Sequence, residues 1–165
     1  MVTPIGVFLR RTASITSNPG ATRIYLPWQS QDYGTPGMWS AGDPATINIP
    51  EDGVYLLSGH VYLQGSGTEF GVNWLKQTPP LAGQYASGTW LIINNPVGTS
   101  GLASQPQRTT MVHQLSAGDK VSLEVQSDAV FDILVNPNPQ GDPTRPDQRF
   151  VYPVCSVTKL SAVPS

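Results

Sequence analysis

The chain has 165 residues, 12% of them charged, a formal net charge of −2 and one cysteine. That length suits a single domain able to bury a core without metals or crosslinks. Charge this sparse excludes a nucleic-acid partner, whose phosphates demand clustered Lys and Arg. Gly and Pro number 16 each, but they follow no fixed period, so collagen is excluded; they fall between short apolar runs, as in an all-β protein with many turns.

In chain order, Ile5 to Arg11 is a first strand, followed by a polar turn through Ser17-Asn18-Pro19-Gly20. The adjacent Arg10-Arg11 pair is the nearest approach to a basic patch and reads as a solvated or paired strand end. Thr22 to Trp28 is a second strand with one buried face. Gln29 to Asp43 is rich in Gly, Pro, Ser and Asp and reads as a loop. Its large apolar residues Tyr33, Met38 and Trp39 either pin it to the core or meet a partner, and pinning is the preferred reading. Thr46 to Ile49 makes a short strand that ends in the turn Pro50-Glu51-Asp52-Gly53. The longest strand follows, Val54 to Leu63. Period two puts Val54, Leu56, Ser58, His60 and Tyr62 on one face and Tyr55, Leu57, Gly59, Val61 and Leu63 on the other. Both faces are apolar enough to be covered, one by a second sheet and the other by a neighbouring subunit.

Glu69 to Lys76 is a strand with Phe70, Val72 and Trp74 on one side, and Gln77 to Ser87 is a loop holding Tyr85. Further strands are expected over Thr89 to Ile93 and Thr109 to Leu115. The turn Ser116-Ala117-Gly118-Asp119 leads into a strand that alternates almost strictly, Val121, Leu123 and Val125 inward against Lys120, Ser122, Glu124 and Gln126 outward. Ala129 to Val135 is another short strand, Asn136 to Asp147 an irregular excursion with four prolines, and Phe150 to Leu160 the last strand. The result is nine or ten strands, no helix and no repeat. We therefore expect an all-β two-sheet sandwich forming one domain over 1–165, with its core over about 6–160 and a flexible tail at 161–165.

Few residues carry chemistry. Cys155 sits in an apolar run and reads as a buried small hydrophobe. His60 and His113 lack spaced partners for a metal. The carboxylates are scattered, mostly in turns, and no nucleophile elbow, phosphate loop or dinucleotide fingerprint occurs. Neither catalysis nor a cofactor is expected. Loop aromatics remain as contact candidates: Tyr33, Trp39 and Tyr85 for a protein partner or a glycan, whereas Trp74 and Trp90, in strand patterns, read as core. Low charge with abundant Ser, Thr, Asn and Gln suits a surface partly covered by other protein.

Two motifs carry a family resemblance. Ile49-Pro50-Glu51-Asp52-Gly53-Val54-Tyr55-Leu56-Leu57-Ser58-Gly59-His60-Val61 resembles the P-x-x-G-x-Y central strand of tumour necrosis factor and of complement globular heads. Leu115-x-Ala117-Gly118-Asp119-x-Val121-x-Leu123 resembles the L-x-x-G-D-x-V-x-L strand pair that follows it. Order and spacing match from about Gly6 to Leu160. The opening, from Gly6-Val7 through Tyr33-x-x-x-Gly37-Met38 to Ile47-x-Ile49-Pro50, is similar to small jelly-roll proteins common in bacteriophage genomes. The resemblance implies a tumour-necrosis-factor-like jelly roll, a homotrimer, and a virion part assembled in the host cytoplasm: a minor tail or tail-tip component touching other phage structural proteins or a host cell-surface glycan. A capsid decoration knob and a carbohydrate-binding or glycan-degrading domain are the alternatives. The N-terminus shows no basic region followed by a long apolar core, so no secretory signal is expected, and no apolar run reaches membrane-span length. The implied trimer contact falls on Tyr55, Leu57, Val61 and Leu63.

Overall fold

In the computed structural model the described residues are 4–17, 23–65, 69–77, 91–92, 99–100, 105–135 and 152–162, and none of them is helical. Their strands are β1 (Gly6–Arg10), β2 (Ile15–Thr16), β3 (Arg23–Tyr25), β4 (Ser30–Gly34), β5 (Ile47–Asn48), β6 (Gly53–Gly65), β7 (Glu69–Gln77), β8 (Leu91–Ile92), β9 (Thr99–Ser100), β10 (Gln105–Leu115), β11 (Lys120–Ser127), β12 (Phe131–Ile133) and β13 (Val154–Ser161). They form two antiparallel sheets. The first runs β2-β12-β6-β13-β1-β4, with β10 along the opposite edge of β6. The second runs β3-β11-β7-β8, with β5 also pairing β11 and β9 also pairing β7. The architecture is the two-sheet sandwich expected from the alternation, with the jelly-roll form that the resemblance implied.

β6 organises the first sheet. Over Gly53 to Leu63 its residues alternate strictly between buried and half-buried, because successive side chains of a strand point to opposite faces. Tyr55, Leu57, Val61 and Leu63 turn inward with Val7 and Leu9 of β1, Cys155 and Val157 of β13, and Phe131 and Ile133 of β12. The second sheet meets them with Phe70, Val72 and Trp74 of β7, Val121, Leu123 and Val125 of β11, and Ile47 of β5. Leu26, Trp28, Met38 and Ile49, outside the strands, complete the core. Each such side chain contributes about 1.5–3 kcal/mol relative to exposure. Gly59 faces the second sheet across a tight contact: a Cβ there would meet Leu123 Cδ2 of β11 at 2.9 Å, and Thr109 Cγ2 of the neighbouring strand β10 at 3.3 Å. A side chain at that position would displace the Leu123 side chain from its place in the core.

Several elements differ from the sequence reading. Among the described residues of the expected strand Thr22 to Trp28, Arg23–Tyr25 form β3; Leu26 and Trp28 are buried beyond its end, and the Trp28 amide bonds the Pro44 carbonyl at 2.9 Å. The presumed loop from Gln29 contains β4, which pairs with β1 across a bulge. β4 is an edge strand whose sequence, Ser-Gln-Asp-Tyr-Gly, has no apolar alternation, so only backbone pairing with β1 reveals it. Ser122 and Glu124, read as outward, are buried on that face. The excursion Asn136 to Asp147, most of the loop from Gln77 to Ser87, and Trp90 lie outside the described residues.

Candidate functional site

The outer face of the first sheet is built by register. Phe8 of β1 lies opposite Tyr33 of β4 on one side and Ser156 of β13 on the other; Ser156 pairs Ser58 of β6, which pairs Thr110 of β10. One row along the strands, Ser30, Arg10, Val154, His60 and Arg108 follow each other across the same five strands. In the other direction Gly6, Thr158, Leu56 and Val112 form a third row. Five strands at about 4.8 Å spacing and the eight-residue rise from Val54 to Tyr62 give a flat footprint of roughly 600 Å². That lies within the range of one partner's share of a standard stable interface.

This face is apolar where solvent would favour polarity. Tyr33 is 51% exposed and Val112 57%, and Leu160, at the register break near the end of β13, is 55% exposed. Among the described residues these three are the large hydrophobics more than half exposed. Phe8 stacks on Tyr33 with ring centroids 6.2 Å apart and planes at 15°. Leu56, Tyr62 and Val154 are half-buried, and Ser58 and Thr110 share a hydroxyl hydrogen bond of 3.2 Å. Charge on the face is confined to a few groups. Arg10 bonds Asp32 at 3.1 Å, and its guanidinium carbon lies 5.5 Å over the Tyr152 ring. Arg108 stands opposite His60. Burial and the Arg108 charge both push the His60 imidazole below its ordinary value.

The residues expected at a trimer contact require correction. Tyr55, Leu57 and Val61 are 0% exposed and Leu63 is 2% exposed, all inside the chain's own core. A side chain already enclosed by its own sandwich presents nothing to a second subunit. The Tyr55 hydroxyl donates to the Glu51 carbonyl at 2.8 Å, and burial with the Glu51 charge pushes it up to about 12. The face left for a partner is the opposite one, Val54, Leu56, Ser58, His60 and Tyr62. Of the contact candidates, Tyr33 belongs to this surface. Trp39 does not: its ring packs against the core and its Nε1 donates to the Pro44 carbonyl at 3.1 Å. Tyr85 lies outside the described residues.

Arg10 and Arg11, adjacent in sequence, go to opposite sides. Arg11 is buried and its Nη1 donates to the Pro27 carbonyl at 2.6 Å. Sequence reading also missed two buried polar groupings. On the far face of the second sheet, Asn73 Nδ2 donates to Glu124 Oε1 at 3.2 Å, while Asn73 Oδ1 and Glu124 Oε2 are buried without hydrogen-bond partners. At the β10–β11 turn, Asp119 Oδ2 accepts from the Ser116 amide at 2.9 Å and meets Lys76 Nζ at 3.0 Å. His113 stands near this pair: burial and Lys76 push its imidazole down while Asp119 pushes it up. Among the described residues no three His, Cys, Asp or Glu side chains gather in a metal-ligating group.

Two apolar-cored sheets in this strand order define a jelly roll of the tumour necrosis factor and complement globular-head type. Murine APRIL superposes with a TM-score of 0.63 at 14% identity, covering 96% of this chain and 100% of its own. The Eiger TNF of S. frugiperda gives 0.60 at 14% identity, with 98% and 96% covered. The globular domain of zebrafish complement 1qA gives 0.56 at 12% identity, with 98% and 100% covered. No protein-family profile and no curated protein sequence matches the chain.

Proposed function

We propose that the protein is a non-catalytic, self-associating jelly-roll module: a homotrimer built through the outer face of the first sheet, serving in a bacteriophage virion as a minor tail or tail-tip component. The observation that carries the self-association is that face itself, where Phe8, Tyr33, Leu56, Val112 and Val154 stand uncovered or half-covered on five adjacent strands. Exposed apolar area of this extent is stabilised by burial against another subunit, at about 25 cal/mol per Å² removed from water. Identical faces, repeated about a closed axis, satisfy it without an open filament. The sparse charge of the chain supports the same reading. The virion role rests on the likeness of the opening segment, Gly6 to Pro50, to small phage jelly-roll proteins.

Light scattering of the purified chain tests the assembly. The expected mass is about three times the 17.7 kDa of one chain. Val112→Asp, at an exposed position that leaves the core untouched, is expected to yield a folded monomer. A wild-type monomer at micromolar concentration would refute self-association. Immunogold labelling tests the location independently: label at the tail tip is expected, label on the head would identify a capsid knob, and unlabelled particles would exclude the virion role. Turnover of host polysaccharide, lost on replacing one carboxylate, would instead establish a glycan-degrading domain.

A further inference from the structure

We propose that the self-associated form is taken apart by mild acid, with His60 as the switch. The inference rests on the self-association reading above and adds to it a regulatory group on the same face.

His60 occupies the central strand of that face. In register its neighbours are Arg108 of β10 and Val154 of β13, and beyond Val154 lies Arg10 of β1. Ser58 and Tyr62 flank it on β6 itself. The acidic groups on this part of the sheet are Asp32 of β4, engaged by Arg10 at 3.1 Å, and Asp132 of β12, which lies opposite Gln64 and accepts from the Thr16 hydroxyl at 2.5 Å. The neighbouring charge acting on the imidazole is therefore the like charge of Arg108. His60 Nε2 is shielded from solvent within a single chain and has no hydrogen-bond partner. A neutral imidazole tolerates this with a bare lone pair; a protonated one would place an unanswered N–H donor and a second cation beside Arg108.

Covering the face with another subunit removes the solvent that remains and sharpens both penalties. The proton is then held more weakly in the assembled state than in the free subunit. The sign follows from linkage: above the free subunit's His60 value assembly is unaffected by pH, and below it each assembled copy must exclude one proton. Three copies make the association constant fall by up to about three decades per pH unit.

The test is mass by light scattering at pH 7.5 and pH 5.0 on wild type, His60→Gln and Arg108→Gln, with circular dichroism on the same samples. Wild type is expected to be a trimer at pH 7.5 and a folded monomer at pH 5.0. His60→Gln is expected to stay assembled at both, and Arg108→Gln, which lifts the like-charge effect on His60 in the free subunit, to become pH-sensitive at a higher pH than wild type. His113→Gln, which alters the other histidine, is expected to dissociate as wild type does. Wild type assembled at both pH values would overturn the switch and leave self-association standing. Acid dissociation retained in His60→Gln, or loss of the fold at pH 5.0, would also overturn it. A wild-type monomer at both pH values would overturn the self-association reading and this one together.

Discussion

At the scale of single residues the polar interior is the least expected feature. Alternation along β11 puts Glu124 on the outward face, yet it is 1% exposed there and faces Asn73, which is 0% exposed. A buried carboxylate with one oxygen unpartnered carries a desolvation cost that its single amide hydrogen bond offsets only in part. Glu124→Gln removes the charge and supplies an amide able to donate to Asn73 Oδ1. Urea unfolding at pH 7 is expected to show a gain of about 1–2 kcal/mol. A loss of similar size would mean that the native carboxylate has a cationic partner in solution. Nothing in the spelling Lys120-Val121-Ser122-Leu123-Glu124-Val125-Gln126 announces this burial, because a strand's periodicity tells which residues share a face but not what covers the face.

At the scale of elements, the β10–β11 turn shows how a local motif becomes a tertiary joint. Gly118 adopts φ 84°, a left-handed conformation that glycine accepts without strain. It lets Asp119 fold back onto the Ser116 amide. The same turn is tied to the turn before β6: the Gly118 amide bonds the Ile49 carbonyl at 2.8 Å, the Ile49 amide bonds the Asp119 carbonyl at 2.8 Å, and Asp52 Oδ1 accepts from the Ala117 amide at 2.8 Å. The two sequence motifs that carry the resemblance are thus in direct contact. Asp119→Ala removes a fully buried acceptor and leaves Lys76 without its partner. It is expected to cost about 2–4 kcal/mol in thermal or urea unfolding. Asp119→Asn, which keeps the Ser116 bond, should cost about half as much. A cost below about 0.5 kcal/mol for Asp119→Ala would show that the joint adds little to stability. Legibility differs among elements for the same reason. β6, β7 and β11 alternate and could be read. β2 and β4 are held by backbone pairing with β12 and β1, and such pairing leaves no pattern in side-chain type.

At the scale of the whole molecule, Cys155 reports on cooperativity. Its side chain is buried between Leu9 of β1 and Gly59 of β6 in register, and burial pushes the thiol well above its ordinary value. A thiolate forms there only when β13 leaves the sheet. Labelling by a thiol reagent at pH 8 should therefore be slower than for a free cysteine by at least about a thousandfold. Its rate should rise with urea in parallel with global unfolding. Rapid labelling without denaturant would show that β13 opens locally.

The sequence by itself determined the class of the fold. Period-two alternation, turn residues at Pro50 to Gly53 and Ser116 to Asp119, and the absence of helical periodicity are local properties, and local sterics convert them into strands and hairpins. It also determined that β6 is apolar on both sides. Which side faces inward was decided only by the tertiary structure, through the register of β6 against β10 and β13 and the approach of Leu123 to Gly59. That choice encloses Tyr55, Leu57, Val61 and Leu63 and leaves Leu56, His60 and Val112 facing outward. The physical reason is that a strand is indifferent to a half-turn until a second sheet arrives, and at Gly59 the missing side chain leaves the space that Leu123 of that sheet fills.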